Sequence, residues 1–255
     1  MTTFKLPLFF AALVALSAGC KHFDGAIIPP LKDFEAFDSP RDFDPPGRVF
    51  RIDQQGVIYG VGQLSVTPKT GNEVTKKYSS KANWSLETVL KTAGVAAEKV
   101  PAVAKLDLER QREVSLESTK SVREYIDDED QPDKKAEELL GRVGYKKDNK
   151  YFVIRETVAT TALDFKAERK WLADLNLEAE FQKVVSANSN FKFDNDKTFS
   201  LVATFDKPMR VWYKIERLSP KSGLGVGPNE VPSFSLKNVS SGTVQLPARA
   251  LPNSP

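Results

Sequence analysis

The 255-residue chain carries one cysteine and one histidine. A disulfide framework, a Cys/His zinc site and a Ser/His/Asp triad built on a core histidine therefore lack the residues they need. Charge of one sign is also scarce. Lysine and arginine total 37 against 34 acidic residues, a formal net charge of +3, too small a bias to draw the chain to nucleic acid. The long apolar run, Leu6 to Leu16, covers eleven residues, about half of the roughly 20 that a membrane-crossing helix needs. What remains, 40% hydrophobic and 28% charged residues, is enough for one sizeable core or two small ones.

That apolar run follows Lys5 and leads through Ser17, Ala18 and Gly19 to Cys20. It reads as a secretory signal. A small-residue site ending on the only cysteine resembles the lipobox of bacterial lipoproteins. The resemblance implies a signal peptide over 1–19, cleavage before Cys20, and a diacylglycerol on its thiol. With Lys21 rather than aspartate next, it also implies delivery to the outer membrane. The other reading is an ordinary cleaved signal that leaves a free thiol. Two or three acyl chains hold a protein stably on a bilayer, since each buried methylene contributes about 0.8 kcal/mol. His22 then lies at the bilayer surface, remote from any buried site.

Residues 20–47 carry five prolines (Pro29, Pro30, Pro40, Pro45, Pro46) and no helical or strand period, as a semi-rigid tether would. Phe23, Phe34, Phe37 and Phe43 are unusual in a pure spacer. Their presence favours a segment, Ile27 to Phe43, that lies along the domain and buries those rings.

The folded body is expected over 48–218. Arg48 to Asp53 and Val57 to Val66, joined through Gly56, predict a β-hairpin. Ser85 to Gly94 predicts a short helix with a serine cap, and Pro132 to Gly141 a second one. From Leu106 to Tyr125 the even positions 106, 108, 114, 116 and 122 are leucine or valine, which predicts one long half-exposed strand. Tyr151 to Val158 is dense in strand formers, and its alternation changes phase by Leu163 and Phe165, as a bulge would produce. Phe199 to Phe205 and Met209 to Ile215 both alternate; with Asp206-Lys207-Pro208 between them they predict a hairpin. Trp171 to Val185 fits a helix or a strand. In 219–255, Pro, Gly and Ser make up 17 of 37 residues, the composition of a tail, with a small hairpin open to Phe234–Val239 and Thr243–Leu246. The sum is an α+β single domain dominated by an antiparallel sheet with a few short helices.

No cofactor or metal constellation is visible. Gly223 to Gly227 precedes Pro228 and no helix, unlike a phosphate loop. Asp127 to Asp130 lacks calcium-loop spacing and reads as a solvated turn before a helix. Paired carboxylates keep a periplasmic glycan hydrolase as a third reading. The one local charge asymmetry is Lys207, Arg210, Lys214, Arg217 and Lys221 against Glu216. On a strand, Arg210 and Lys214 would share a face with Trp212, a set suited to anionic headgroups or an acidic partner.

Four segments in chain order are Ile27 to Phe43, Trp84 to Leu90, Asn149 to Thr160 and Arg210 to Leu218. Together they are similar to the pore-forming domain of gasdermins. That resemblance implies a twisted antiparallel sheet that inserts hairpins into membranes once an inhibitory tail is cut, with 219–255 as the candidate tail. The leading expectation is a non-enzymatic envelope lipoprotein, held on the membrane through Cys20 and acting on a protein partner as a binding or assembly module. The gasdermin-like membrane-perturbing protein is the alternative.

Overall fold

The computed structural model describes residues 34–73, 78–92, 111–118, 120–174, 191–193, 197–221, 230–240, 242, 244–247 and 251–252. They form one curled sheet around a spine of two long antiparallel strands, β8 (Lys150–Glu168) and β10 (Thr198–Pro220). β2 (Arg48–Ile52), β7 (Ser121–Tyr125) and β6 (Gln111–Ser118) follow one another along the outer edge of β8. β11 (Phe234–Asn238), β1 (Glu35–Arg41) and β9 (Phe191–Phe193) do the same along β10. Outside these lie β3 (Ile58–Gln63) on β2, β12 (Leu251–Pro252) parallel to β3, β4 (Lys69–Thr70) on β7 and β5 (Tyr78–Ser85) on β6. The helices are short: α1 (Leu86–Thr92), α2 (Pro132–Val143) and α3 (Lys170–Asp174).

Local chemistry explains several of these elements. In the β2–β3 turn, Asp53 Oδ1 accepts from the amides of Gln55 and Val57, and Gly56 takes the left-handed φ of 82°. Ser85 Oγ accepts from the Thr88 amide at 3.1 Å, the cap predicted for α1. α2 has Pro132 in its first turn, where the missing N–H costs nothing, and buries Ala136, Leu139 and Leu140.

Three departures from the sequence reading have physical causes. The predicted 206–208 turn does not reverse the chain. Thr204 pairs with Ala162 and Met209 with Thr160, so four residues of β10 bulge opposite one of β8 and the strand runs on. Pro208 falls in this bulge, where no ladder N–H is needed. Second, the strand predicted over Leu106 to Tyr125 is β6 followed by β7, end to end on β8; residues 106–110 lie outside the described residues. Hydroxyls fill the break. Thr160 Oγ1 donates to the Lys120 carbonyl and accepts from the Ala162 amide, and Ser118 Oγ lies 2.6 Å from Thr160 Oγ1 and 2.8 Å from Ser121 Oγ. Third, Phe234–Asn238 pairs with β10, and the other half of the predicted small hairpin, Val244–Leu246, is not a strand; Thr243 lies outside the described residues. Of the stretch Trp171 to Val185, residues 171–174 are helical and the rest lies outside the described residues.

The core has three parts. In the concave curl, Trp84, Val89, Leu116, Phe165, Trp171, Phe199, Leu201 and Trp212 pack together. The curl closes without a backbone ladder between β1 and β5: Trp84 Nε1 donates to the Phe37 carbonyl at 2.7 Å and Trp212 Nε1 to Ser80 Oγ at 2.6 Å. At the other end of the spine, α2 covers Tyr151, Val153, Leu218 and Phe234. On the reverse side of that end, Phe37, Phe50, Phe152, Ile154, Tyr213 and Ile215 pack under Val244 and Leu246. Both faces of β8 are thus buried there, which is why Tyr151 to Ile154 reads as a continuous apolar run.

Candidate functional site

The expected tether over 20–47 holds strand β1, and the expected tail over 219–255 holds β11 and β12, so parts of both belong to the sheet. Phe37 is fully buried and Phe34 packs on the concave core, while Phe43 is half exposed; Phe23 and Cys20 lie outside the described residues. The segment after β11 forms a strap. Tyr213 Oη lies 3.0 Å from Glu35 Oε2 and 3.0 Å from the Val244 carbonyl, with one proton to offer, and accepts from the Leu246 amide at 3.0 Å. Burial and the neighbouring Glu35 carboxylate push this phenol far above its ordinary range, so it stays protonated. Arg41, buried beside it, donates to Asp38, to Asp44 Oδ2 at 2.9 Å and to the Pro247 carbonyl at 3.0 Å, with its guanidinium 4.1 Å from the Phe37 ring centre.

The three predicted contact residues do not make one exposed patch. A register shift between Arg210 and Trp212 separates them. Arg210 grips Glu124 through Nε and Nη2 at 2.6 and 2.9 Å and reaches the Asp42 carbonyl. Trp212 is fully buried. Lys214 is partly buried, with Nζ 3.9 Å from Glu156.

These contacts belong to a ladder of opposite charges across β10, β8, β7 and the residues just after β1 and β7. Lys207 pairs with Asp42, Arg123 and Lys214 with Glu156, and Arg155 with Asp128 and Glu216. Five cations meet five carboxylates, so Lys207, Arg210 and Lys214 of β10 are balanced by Asp42, Glu124 and Glu156, while Lys221 pairs with Asp133 of α2 and Arg217 stays outside the ladder. No signal local to β10 could have revealed Glu124 or Glu156 as its neighbours. The hydrogen bond from Lys207 holds the Asp42 carboxyl below its usual range, whereas burial raises Glu216 despite Arg155 and Lys214.

Among the described residues no three His, Cys, Asp or Glu side chains converge as a metal set, and no helix is long and apolar enough to cross a membrane. Farther along the spine two basic residues have no ion pair among the described residues. Arg217 and Lys237 are exposed register partners on β10 and β11.

The fold defines an α+β protein built on one curled antiparallel sheet. No family model and no curated protein matches the chain. Among solved structures the chain is similar to a bacterial gasdermin from Bradyrhizobium tropiciagri, at 14% identity and a TM-score of 0.40, over 80% of this chain and 88% of that one.

Proposed function

We propose that this is a lipid-tethered protein of the bacterial envelope that perturbs bilayers through the β8–β10 ribbon. The observation that carries the reading is the ribbon's upper half. Seven consecutive register pairs, from Thr198↔Glu168 to Thr204↔Ala162, run without interruption. At about 3.4 Å per residue they extend about 24 Å, the height of the apolar band of a membrane β-sheet. Phe199, Leu201, Ala203, Leu163, Phe165 and Ala167 line one face, and Ser200, Thr204, Asp164 and Lys166 the other. In the folded state Trp84, Val89 and Trp171 cover the apolar face, so exposing it to lipid requires β5, α1 and α3 to move aside. The segments at Phe37, Trp84, Asn149 to Thr160 and Arg210 to Leu218, on which the gasdermin resemblance rests, all meet on this spine.

Dye release from liposomes tests the reading, using the domain without its lipid, before and after trimming of the C-terminal strap. Release from either sample supports it, and none from both removes it. The second reading is a non-enzymatic lipoprotein acting as a binding or assembly module at the outer membrane. The charge ladder supports it, because a self-neutralised face gives an anionic bilayer little to attract. Co-purification from detergent-solubilised envelopes, with Cys20→Ala as control, would identify its partner.

A further inference from the structure

β11 pairs with β10 on one side only, and among the described residues no strand pairs with its other edge. The Phe234 amide points outward, where Glu137 Oε1 of α2 accepts it at 2.9 Å. Alternation along a strand then turns the amides and carbonyls of Leu236 and Asn238 outward as well. Natural edge strands are usually blunted by a bulge, a proline or a cover. α2 covers only the Phe234 end of this one.

Charge makes the edge selective. Lys237 and Arg217 are directly opposite each other, both exposed, in an antiparallel pair where like charges are destabilising. Arg217 also pairs with Phe152 on β8, which puts exposed Lys150 on the same face, one diagonal step away. None of these three cations has an ion pair among the described residues. They form a basic row leading to the β11 edge, unlike the balanced ladder farther up the spine. On the opposite face Leu236 packs partly on the α2 core.

We propose that this edge docks an extended acidic segment of a partner protein as an added strand. The incoming strand would lie about 4.8 Å from β11. Its alternate side chains would fall beside Lys237 on one face and beside Leu236 on the other. Carboxylates therefore suit the first set and aliphatic groups the second. A second copy of this chain fits poorly, because antiparallel β11–β11 pairing would bring two Lys237 side chains and their Arg217 neighbours together. The proposal does not depend on bilayer perturbation.

The test uses the full-length mature protein in detergent and a fluorescent eight-residue peptide alternating glutamate and valine, read by anisotropy. Binding is expected to be salt-sensitive, and lost when lysine replaces glutamate or when proline interrupts the peptide ladder. Lys237→Glu is expected to weaken it about tenfold or more. Lys237→Ala, at the same exposed position, serves if the glutamate variant does not fold. The proposal is overturned if the glutamate peptide does not bind, if the proline peptide binds equally well, or if neither variant changes the affinity. It is also overturned if the substitutions reduce binding to phosphatidylglycerol vesicles but not to the peptide, which would make the row a lipid contact. Dye release by the Lys237 variants reads the bilayer activity separately.

Discussion

Replacing Tyr213 by phenylalanine removes one oxygen from the junction between the spine and the C-terminal strap. The ring keeps its packing, including the contact with Phe37 at 4.4 Å between centroids, so little apolar burial changes. What is lost is the acceptor of the Leu246 amide and a donor shared by the Val244 carbonyl and Glu35; the Tyr213 ring and its contacts to Val244 and Leu246 are buried, the one to Glu35 partly so. An unsatisfied buried polar group costs about 1–3 kcal/mol. With the Leu246 amide and one of the two oxygens left without a partner, the expected loss is about 2–4 kcal/mol. For a domain of this size that lowers the melting temperature by about 5–12 °C. Urea unfolding should show a lower midpoint at unchanged slope, and hydrogen exchange should show the Leu246 amide opening faster than amides in β8. A loss under about 0.5 kcal/mol, with Leu246 still protected, would refute the claim that this hydroxyl holds the strap.

Three further outcomes follow from other parts of the sheet. Glu216 has its carboxyl raised by burial, so the folded state holds that proton more tightly than the unfolded chain and stability declines as pH rises above about 4.5. Glu216→Gln should therefore melt higher than the parent at pH 7.5 and no higher at pH 4 by scanning fluorimetry; the reverse order would mean that pairing with Arg155 outweighs burial. Gly47→Ala should lose about 1–3 kcal/mol in denaturant titration, because φ is 91° and a Cβ would lie 2.5 Å from Gln63 Nε2. Thr160→Val should cost about 1–3 kcal/mol and raise exchange at the Ala162 amide, and unchanged exchange there would show that the hydroxyl does not bridge the break between β6 and β7.

How much of this was legible in the sequence varies with the range of the interaction. The β2–β3 hairpin, the Ser85 cap, the Pro132 start of α2 and the phase change within β8 are all encoded within a few residues, and each was read. The 206–208 stretch was misread because its turn residues serve a bulge equally well, and only the unbroken partner strand β8 decides between the two. The C-terminal segment looked like a tail on composition, yet Phe234 is buried with Tyr151 and Val153 of β8, and Val244 and Leu246 with Phe37, Phe50 and Tyr213, the last 31 residues from Val244. For the candidate site the limit was similar. Arg210, Trp212 and Lys214 were correctly put on one strand, but the register shift beside Trp212 and the acids on β7 and β8 are long-range facts. Of the three cations in the row toward β11, the sequence singled out Arg217; its register partner Lys237 lay in the segment read as a tail.

The reverse-side core joins Phe37, Phe50 and Phe152 to Val244 and Leu246, which a ribosome makes long after them. A nascent chain cannot close this layer before Leu246 has emerged. Until then those rings have no lid, and a product that stops short of Val244 would present them to quality-control proteases. The strap thus marks a chain whose synthesis has passed that point.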